Sequence, residues 1–260
     1  MIDVIITAIR REFLSECINS IACQAHDGVH IHIIKDGQCE YIDNIVSAIT
    51  SLPISIYSST KNIGPYRLVN CVMPFLKHKY FCIQDADDVS APHRLKYSLQ
   101  QCETNNLDMF GGSIQMFGDK EDNKMLMPQI LCDEYVAPNT KRSLLFAHPT
   151  LFMRREYFVD INGYTDYYCG CDIEFMTRCY WAGAKINTTN DVLVHHRMHP
   201  SQLTKQEKTK IGSRLRRAIQ STLHTQIKTY PDNRNNISFF KKQGKLDACL
   251  NSYNLIKCCY

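Results

Sequence analysis

Short apolar runs alternate with segments of helical periodicity through the first hundred residues of this chain. The runs occupy residues 3–8, 29–34, 54–57 and 79–84. Apolar residues between them recur at the three- and four-residue spacing of an amphipathic helix, and another helix-like segment follows at 92–101. Such alternation predicts an α/β fold with a mostly parallel central sheet and helices on both faces.

The rest of the chain is less regular, and we divide it into residues 106–205 and a C-terminal extension, 206–260. Apolar residues keep helical spacing from residue 205 for several turns, so the extension is predicted to be helical. The other predicted elements are helices at 42–49, 172–181 and 250–256, a strand pair or bent strand at 109–117, and strands at 149–153, 185–188 and 192–196.

A cluster of carboxylates, Asp85-Ala86-Asp87-Asp88, follows the fourth apolar run. Open α/β sheets bind ligands beyond the C-terminal ends of their strands, and Thr7 and Asp36 end the first two runs at the same edge. Three carboxylates so close together repel one another unless a cation lies between them, and their oxygens suit Mg²⁺ or Mn²⁺. No glycine-rich phosphate loop is present, so a metal would neutralise a bound phosphate. An acidic turn that caps a helix is the alternative.

Short motifs follow one another along residues 1–205, at 4–8, 33–37, 62–64, 85–88, 148–155, 162–164, 171–175 and 197–201. In this order they resemble the motifs of family-2 glycosyltransferases, which have the GT-A (Rossmann-like) fold. The resemblance implies that residues 1–105 bind a nucleotide-sugar and that 106–205 form the acceptor half of the same domain. It implies inverting, metal-dependent transfer from a nucleotide-sugar, with a UDP-sugar as the expected donor, to a hydroxyl of a glycan or lipid-linked glycan.

The resemblance also implies roles for individual residues. Asp36 would hydrogen-bond the base, Asp85 would contact the nucleotide, and Asp87 would ligate Mn²⁺ or Mg²⁺, with His199 completing the metal or diphosphate site. Thr7 and Arg67 are also expected to bind the nucleotide-sugar. The chain departs from the family pattern at Lys35 and Val69, where an acid and an arginine are usual.

On the acceptor side, the resemblance makes Asp172 the general base that takes the proton of the attacking hydroxyl. Glu174 is the alternative base, and His148 is assigned to the acceptor cleft. Asp172 could instead only cap the helix that follows it. Cys171 stands where the family usually has a further acidic residue.

The net positive charge of the chain lies in the extension. Residues 206–260 contain 11 Lys or Arg and 3 Asp or Glu. A solvated helix face is one interpretation, and peripheral contact with an anionic membrane, supported by Phe239-Phe240-Lys241-Lys242, is another. No nucleic-acid-binding module is recognisable, so no nucleic-acid partner is expected. The N-terminus does not resemble a signal peptide and the thirteen cysteines suggest reduced thiols, so a cytoplasmic location is expected.

Two other functions are compatible with a nucleotide site on half of a sheet. A sugar-phosphate nucleotidyltransferase would need a glycine-rich basic loop after the first strand, and Ala8 to Arg11 contain no glycine. A non-catalytic module that binds a nucleotide-sugar is the second alternative.

Overall fold

The computed structural model describes residues 1–8, 12–24, 28–37, 42, 52–118, 124–126, 145–167, 169–210 and 212–258. Ten strands are described: β1 (Ile2–Ala8), β2 (Val29–Lys35), β3 (Ile54–Ser59), β4 (Tyr80–Asp85), β5 (Val89–Ser90), β6 (Met109–Gly118), β7 (Met125–Leu126), β8 (Phe152–Arg154), β9 (Ile186–Met198) and β10 (Leu255–Cys258). The helices are α1 (Leu14–Ala22), α2 (Pro65–Val72), α3 (Arg94–Thr104), α4 (Arg155–Asp160), α5 (Cys171–Trp181), α6 (Arg214–Ile227), α7 (Ile237–Lys241) and α8 (Leu246–Ser252).

The strands form one mixed sheet in the order β10-β3-β2-β1-β4-β8-β6-β9-β5, with β7 paired to β6. Strands β1 to β4 are mutually parallel where they pair, whereas β8 and β10 run antiparallel to their neighbours. Alternate side chains of β1 enter two apolar layers: Val4 and Ile6 pack with α1 and α3, and Ile5 packs with α2 and α5. The predicted α/β fold with helices on both faces is confirmed.

Three details differ from the sequence prediction. The two strands predicted at 185–188 and 192–196 are both part of the single strand β9, which pairs with β6 on either side of an irregularity at residues 189–191. The segment 149–153 is a 3-10 turn, His148–Thr150, followed by β8. The last helix ends at Ser252 and is followed by β10. The predicted helix at 42–49 lies outside the described residues, except for Ile42.

The C-terminal extension packs against the domain. Strand β10 pairs with β3, and the buried residues Phe240, Leu246 and Cys249 join the same apolar layer as α2 and α5. The extension therefore contains a strand as well as helices. The division of the chain at residues 105 and 205 stays a prediction.

A buried carboxylate, that of Asp3, holds neighbouring elements together near the N-terminal end of β1. Asp3 is fully buried, and its Oδ1 lies 2.9 Å from both His32 Nε2 and His78 Nδ1. Its Oδ2 accepts the backbone N–H groups of Lys77 (2.9 Å) and His78 (2.8 Å). Burial alone would raise the pKa of Asp3, but the bonds from His32 and His78 outweigh it and the pKa is lowered. Asp3 therefore ties β1 to β2 and to the loop before β4 as a carboxylate.

We expect Asp3→Asn to lower the free energy of unfolding by roughly 1–3 kcal/mol, because an amide cannot accept all four hydrogen bonds. Because the pKa of Asp3 is lower in the folded state than in the unfolded state, the ionised carboxylate stabilises the fold above the unfolded pKa. This stabilisation is lost as the pH falls through the folded pKa. The difference between the variant and the unaltered chain should therefore shrink in acid. Urea unfolding at neutral and acidic pH measures this, with the exposed Asp232→Asn as control. Equal stability of all three proteins at neutral pH would contradict the anchoring role.

Candidate active site

A tight turn holds the carboxylate cluster at the C-terminal end of β4. Asp85 ends this strand, level with Thr7 on neighbouring β1. The Asp88 N–H donates to the Asp85 carbonyl (3.2 Å), and the buried Gln84 side chain donates to the carbonyls of Asp85 and Asp88, both at 3.2 Å. Ligand oxygens of Asp85, Asp87 and Asp88 consequently lie within 4.8 Å of one another.

Asp88 is the structural member of the cluster. It is fully buried, its Oδ2 lies 2.8 Å from His196 Nδ1, and its Oδ1 accepts the Arg197 N–H at 2.9 Å. Burial alone would lower the pKa of His196, but the hydrogen bond and negative charge of Asp88 outweigh it and raise the pKa to about 9. Asp88 and His196 therefore fix the end of β9 beside the turn.

This attachment brings His199 to Asp87. His199 Nε2 lies 2.8 Å from Asp87 Oδ2, and its Nδ1 lies 2.8 Å from Ser201 Oγ. The Asp87 side chain remains 32% exposed, so it is accessible from solution. The structure thus brings together the two residues that the resemblance implied as metal ligands, although 112 positions separate them.

Arg197 reinforces the same junction. Its Nε donates to the Asp87 carbonyl at 3.0 Å, and its guanidinium forms an ion pair with Glu16 on α1. The guanidinium lies 4.3 Å from the centroid of Phe13 and 4.4 Å from that of Phe117. Cation–π contacts of this kind add about 0.5–2 kcal/mol each. The Asp87 backbone is therefore held from two sides.

The electrostatics of the turn favour a cation. Burial, together with the charges of Asp88 and Asp87, raises the pKa of Asp85 to about 8. Such a shift shows that the negative charge of Asp85 is under-compensated by the protein. The residues fit a divalent metal: Asp85 and Asp87 offer carboxylate oxygens, and the His199 imidazole lies against Asp87, whereas both oxygens of Asp88 are engaged.

The predicted base-binding residue, Asp36, supports a loop. Its Oδ1 accepts the Ile63 N–H (2.6 Å) and its Oδ2 accepts the Gly64 N–H (2.9 Å) at the start of α2. Burial raises the pKa of Asp36 despite these bonds. Arg67 contacts this loop as well, donating to the Ile63 carbonyl at 3.2 Å and pairing with Asp166. Contact of either residue with a nucleotide stays a prediction.

Asp172 lies in the first turn of α5, after Gly170, whose φ of 76° starts the helix. An acidic side chain in the first turn interacts favourably with the positive end of the helix dipole. Burial, together with the charge of Asp172, raises the pKa of Tyr66 well above its usual value, so the Tyr66 hydroxyl lies within electrostatic range of Asp172. Asp172 and Asp85 both raise the pKa of the buried Tyr164, after the larger effect of burial. The carboxylate turn and Asp172 therefore lie within electrostatic range of one shared hydroxyl.

His148 belongs to the same aromatic group. Its Nε2 lies 2.7 Å from the Tyr164 hydroxyl oxygen, and its ring meets those of Tyr66 and Tyr164 edge-on, with centroids 5.7 Å apart in both cases. Burial lowers the pKa of His148, partly offset by Asp172. His148 thus lies close to Asp172, but an acceptor contact stays a prediction.

Glu174 faces the interior of the fold. It is fully buried, bonded to Arg178 Nε at 2.7 Å and Nη2 at 3.2 Å, and approached by the Tyr230 hydroxyl at 3.2 Å. Two positions along a helix turn the side chain by roughly 200°, away from the direction of Asp172. The expectation that Glu174 serves as an acceptor-side residue or alternative base is therefore corrected: it is half of a buried ion pair.

Sequence reasoning missed several residues that shape the site, namely Tyr66, Gln84, Arg94 and His196. Arg94 is fully buried and donates to Gln84 Oε1 (2.6 Å) and to the carbonyls of Ile83 and Pro149 (2.7 Å each), so it braces the turn from below. A glutamine inside an otherwise apolar strand was the available signal, because a buried polar group requires a partner.

The extension exposes Lys208, Arg214 and Arg217, and Lys205 just before it is exposed too, but Phe240 is fully buried against Tyr230. The prediction that Phe240 helps the extension to contact a membrane is therefore wrong. Membrane contact stays a prediction that rests on the exposed lysines and arginines. Among the described residues, no helix has the length and apolarity required to cross a membrane.

Comparison with known proteins identifies similar sequences. The profile of the family described as "Glycosyl transferase family 2" matches residues 3–161. An uncharacterised glycosyltransferase of Haemophilus influenzae is 25% identical over 218 residues, covering 78% of this chain and 67% of the relative. The O-antigen biosynthesis glycosyltransferase WbnJ of Escherichia coli is 25% identical over 209 residues, covering 76% of this chain and 80% of WbnJ.

Solved structures share the fold. Residues 1–349 of TarS from S. aureus, in complex with UDP-GlcNAc, give a TM-score of 0.65 at 15% identity, covering 88% of this chain and 72% of that one. The mannosyltransferase PcManGT from Pyrobaculum calidifontis, in complex with GDP-Man and Mn²⁺, gives 0.63 at 13% identity, covering 96% and 72%.

Proposed function

The chain belongs to glycosyl transferase family 2, and we propose that it is an inverting, divalent-metal-dependent enzyme that transfers a sugar from a UDP-sugar to a hydroxyl of a glycan or lipid-linked glycan. One observation carries the proposal: Asp85, Asp87 and His199 meet at the C-terminal end of β4, while a separate carboxylate, Asp172, stands at the start of α5. The two halves of the reaction thereby have different acidic groups.

The donor half of the proposal rests on the edge of the sheet where β1, β2 and β4 end. Thr7, Asp36 and Asp85 lie at the ends of these three adjacent parallel strands. TarS, in complex with UDP-GlcNAc, and PcManGT, in complex with GDP-Man and Mn²⁺, share the fold. These complexes support a nucleotide-sugar donor carrying a hexose or an N-acetylhexosamine, and we propose UDP as its nucleotide.

Asp85 and Asp87 would hold a divalent cation, with His199 beside them. When bound, such a cation supplies Lewis-acid stabilisation of the charge that develops on the departing diphosphate. Asp88 and His196 keep the turn in place, and Arg197 fixes the backbone of Asp87. The carboxylates that bind the leaving group are therefore held before the donor arrives.

Asp172 is the proposed general base. It would take the proton of the acceptor hydroxyl as that oxygen attacks the anomeric carbon opposite the leaving diphosphate, which inverts the configuration. It lies in the first turn of α5, where the positive end of the helix dipole interacts favourably with an acidic side chain, and the Tyr66 hydroxyl is within electrostatic range of it. The family match does not support the alternative of a sugar-phosphate nucleotidyltransferase. A module that binds a nucleotide-sugar without transferring the sugar remains the second candidate.

Binding of UDP in the presence of Mn²⁺, measured by isothermal titration calorimetry, tests the donor site. We expect Asp87→Ala to weaken this binding at least about tenfold, because removal of one carboxylate from a metal site costs both the ligand and its charge. EDTA should weaken binding by the unaltered chain in the same way. The exposed Glu103→Ala on α3 is the control. If neither EDTA nor Asp87→Ala weakened UDP binding, the proposal that Asp87 binds a metal would be contradicted.

A further inference from the structure

We propose that the segment 246–258, which includes α8 and β10, is part of the donor site, and that Tyr253 positions the loop 60–64 on which the nucleotide lies. This inference rests on the proposed function and adds a residue to it. The family profile ends at residue 161, so nothing in that match assigns a role to Tyr253.

The loop 60–64 is fixed on its inner side by two side chains. Asp36 accepts the N–H groups of Ile63 and Gly64, at 2.6 and 2.9 Å. The Ser59 hydroxyl lies 2.9 Å from the Lys61 carbonyl oxygen and accepts the Gly37 N–H at 2.9 Å. These bonds couple the loop to the end of β2, where the nucleotide base is expected.

The outer side of the loop is held through Tyr253. Lys61 Nζ lies 5.6 Å from the centroid of the Tyr253 ring, and Arg67 Cζ lies 5.8 Å from it. Arg67 in turn donates to the Ile63 carbonyl at 3.2 Å. One aromatic ring therefore contacts a cation in the loop, Lys61, and a cation on the helix that follows it, Arg67, within the roughly 6 Å range over which a cation is attracted to a ring.

Tyr253 is itself rigidly placed between the two elements that flank the loop. Its N–H donates to the Cys249 carbonyl at 2.9 Å, and α8 packs on α2, where Asn70 Nδ2 contacts Cys249 Sγ at 3.5 Å. Two residues later, Leu255 begins the pairing of β10 with β3 at Ser59. The ring is therefore anchored to the strand before the loop and to the helix after it.

This arrangement gives Tyr253 a part in affinity for the donor. A loop that is held in its binding conformation loses less conformational entropy when the nucleotide binds. Removal of the ring would remove its contacts with Lys61 and Arg67 and loosen the outer side of the loop, while the carboxylate turn and Asp172 would stay in place. The expected defect is thus in nucleotide binding.

The test compares Tyr253→Leu, which removes the aromatic ring but keeps apolar volume, with Tyr253→Phe, which keeps the ring. UDP binding with Mn²⁺ is measured by calorimetry, and thermal unfolding without ligand is measured in parallel. We expect Tyr253→Leu to raise the Kd for UDP by about three- to tenfold, as the loss of two cation–π contacts allows, and Tyr253→Phe to bind like the unaltered chain. Tyr97→Leu, a partly buried tyrosine on the opposite layer, is the matched control.

A lower Tm of Tyr253→Leu with an unchanged Kd would overturn the inference, because the tyrosine would then only brace the fold. Equal weakening by Tyr253→Phe and Tyr253→Leu would overturn it too, since the ring would not be the active feature. Failure of the proposed function has a different signature: the unaltered chain itself would bind no UDP, which would overturn both ideas together.

Discussion

Asp172→Asn is expected to reduce sugar transfer by about 10²- to 10⁴-fold, the usual contribution of a positioned general base, and to leave UDP binding unchanged. The amide has the shape of the carboxylate, but it cannot take a proton from the acceptor hydroxyl. The carboxylate turn, which binds the leaving group in our proposal, is untouched. A coupled assay of UDP release from UDP-sugars, with calorimetry of UDP and Mn²⁺, measures both quantities.

The matched control is Asp160→Asn, an exposed acid at the end of α4. It should change neither transfer nor binding. Full activity of Asp172→Asn would rule out the base assignment, and loss of UDP binding in that variant would place Asp172 in the donor site instead. Comparison with Asp87→Ala, which should fail at binding, separates the two carboxylate roles.

Glu174→Ala is expected to lower the free energy of unfolding by about 3–5 kcal/mol, because it leaves the Arg178 guanidinium buried without its partner. Arg178 would keep its bonds to the carbonyls of Ile161 (2.7 Å) and Gly163 (2.6 Å), but these are dipoles and not a charge. The Tyr230 hydroxyl would also lose its acceptor. Urea unfolding followed by circular dichroism measures the difference.

Glu207→Ala provides the comparison, since Glu207 pairs with Lys210 on the surface and is 87% exposed. Exposed ion pairs contribute little, so its unfolding midpoint should hardly move. Replacement of both partners, Glu174→Met with Arg178→Met, should recover much of the loss because no charge is left buried. A Glu174→Ala protein as stable as the unaltered chain would contradict the buried ion pair.

The sequence predicted the fold where local pattern and global packing agree. Buried parallel strands read as apolar runs, and β1, β2, β3 and β4 were found within two residues of their observed bounds. Strand β9 was split in the prediction because the polar residues 189–191, where its pairing with β6 is irregular, interrupt the strand pattern. Phe240 was taken for a surface anchor because neighbouring lysines obscured its burial.

The order of motifs in the sequence was enough to assign residues to the site, but it did not predict the contacts between them. Asp87 and His199 were assigned to one metal site from motifs, and the structure places them 2.8 Å apart. The pairing of Asp88 with His196 spans 108 positions and follows from the tertiary fold alone. Glu174 was misassigned because the sequence pattern of a carboxylate near the start of a helix is the same for a general base and for a partner in a buried ion pair. Only the direction of its side chain, set by packing around Arg178, distinguishes a buried ion pair from a base.

The pairing of β10 with β3 has a consequence for how the protein is made. Leu255 pairs with Ser59, about 200 positions earlier, so β3 emerges from the ribosome long before its partner. Until then, the edge of β3 and the apolar surface of α2 that α8 covers are exposed, and such edges promote association between chains. The edge of β3 is therefore closed only after residues 255–258 have been translated.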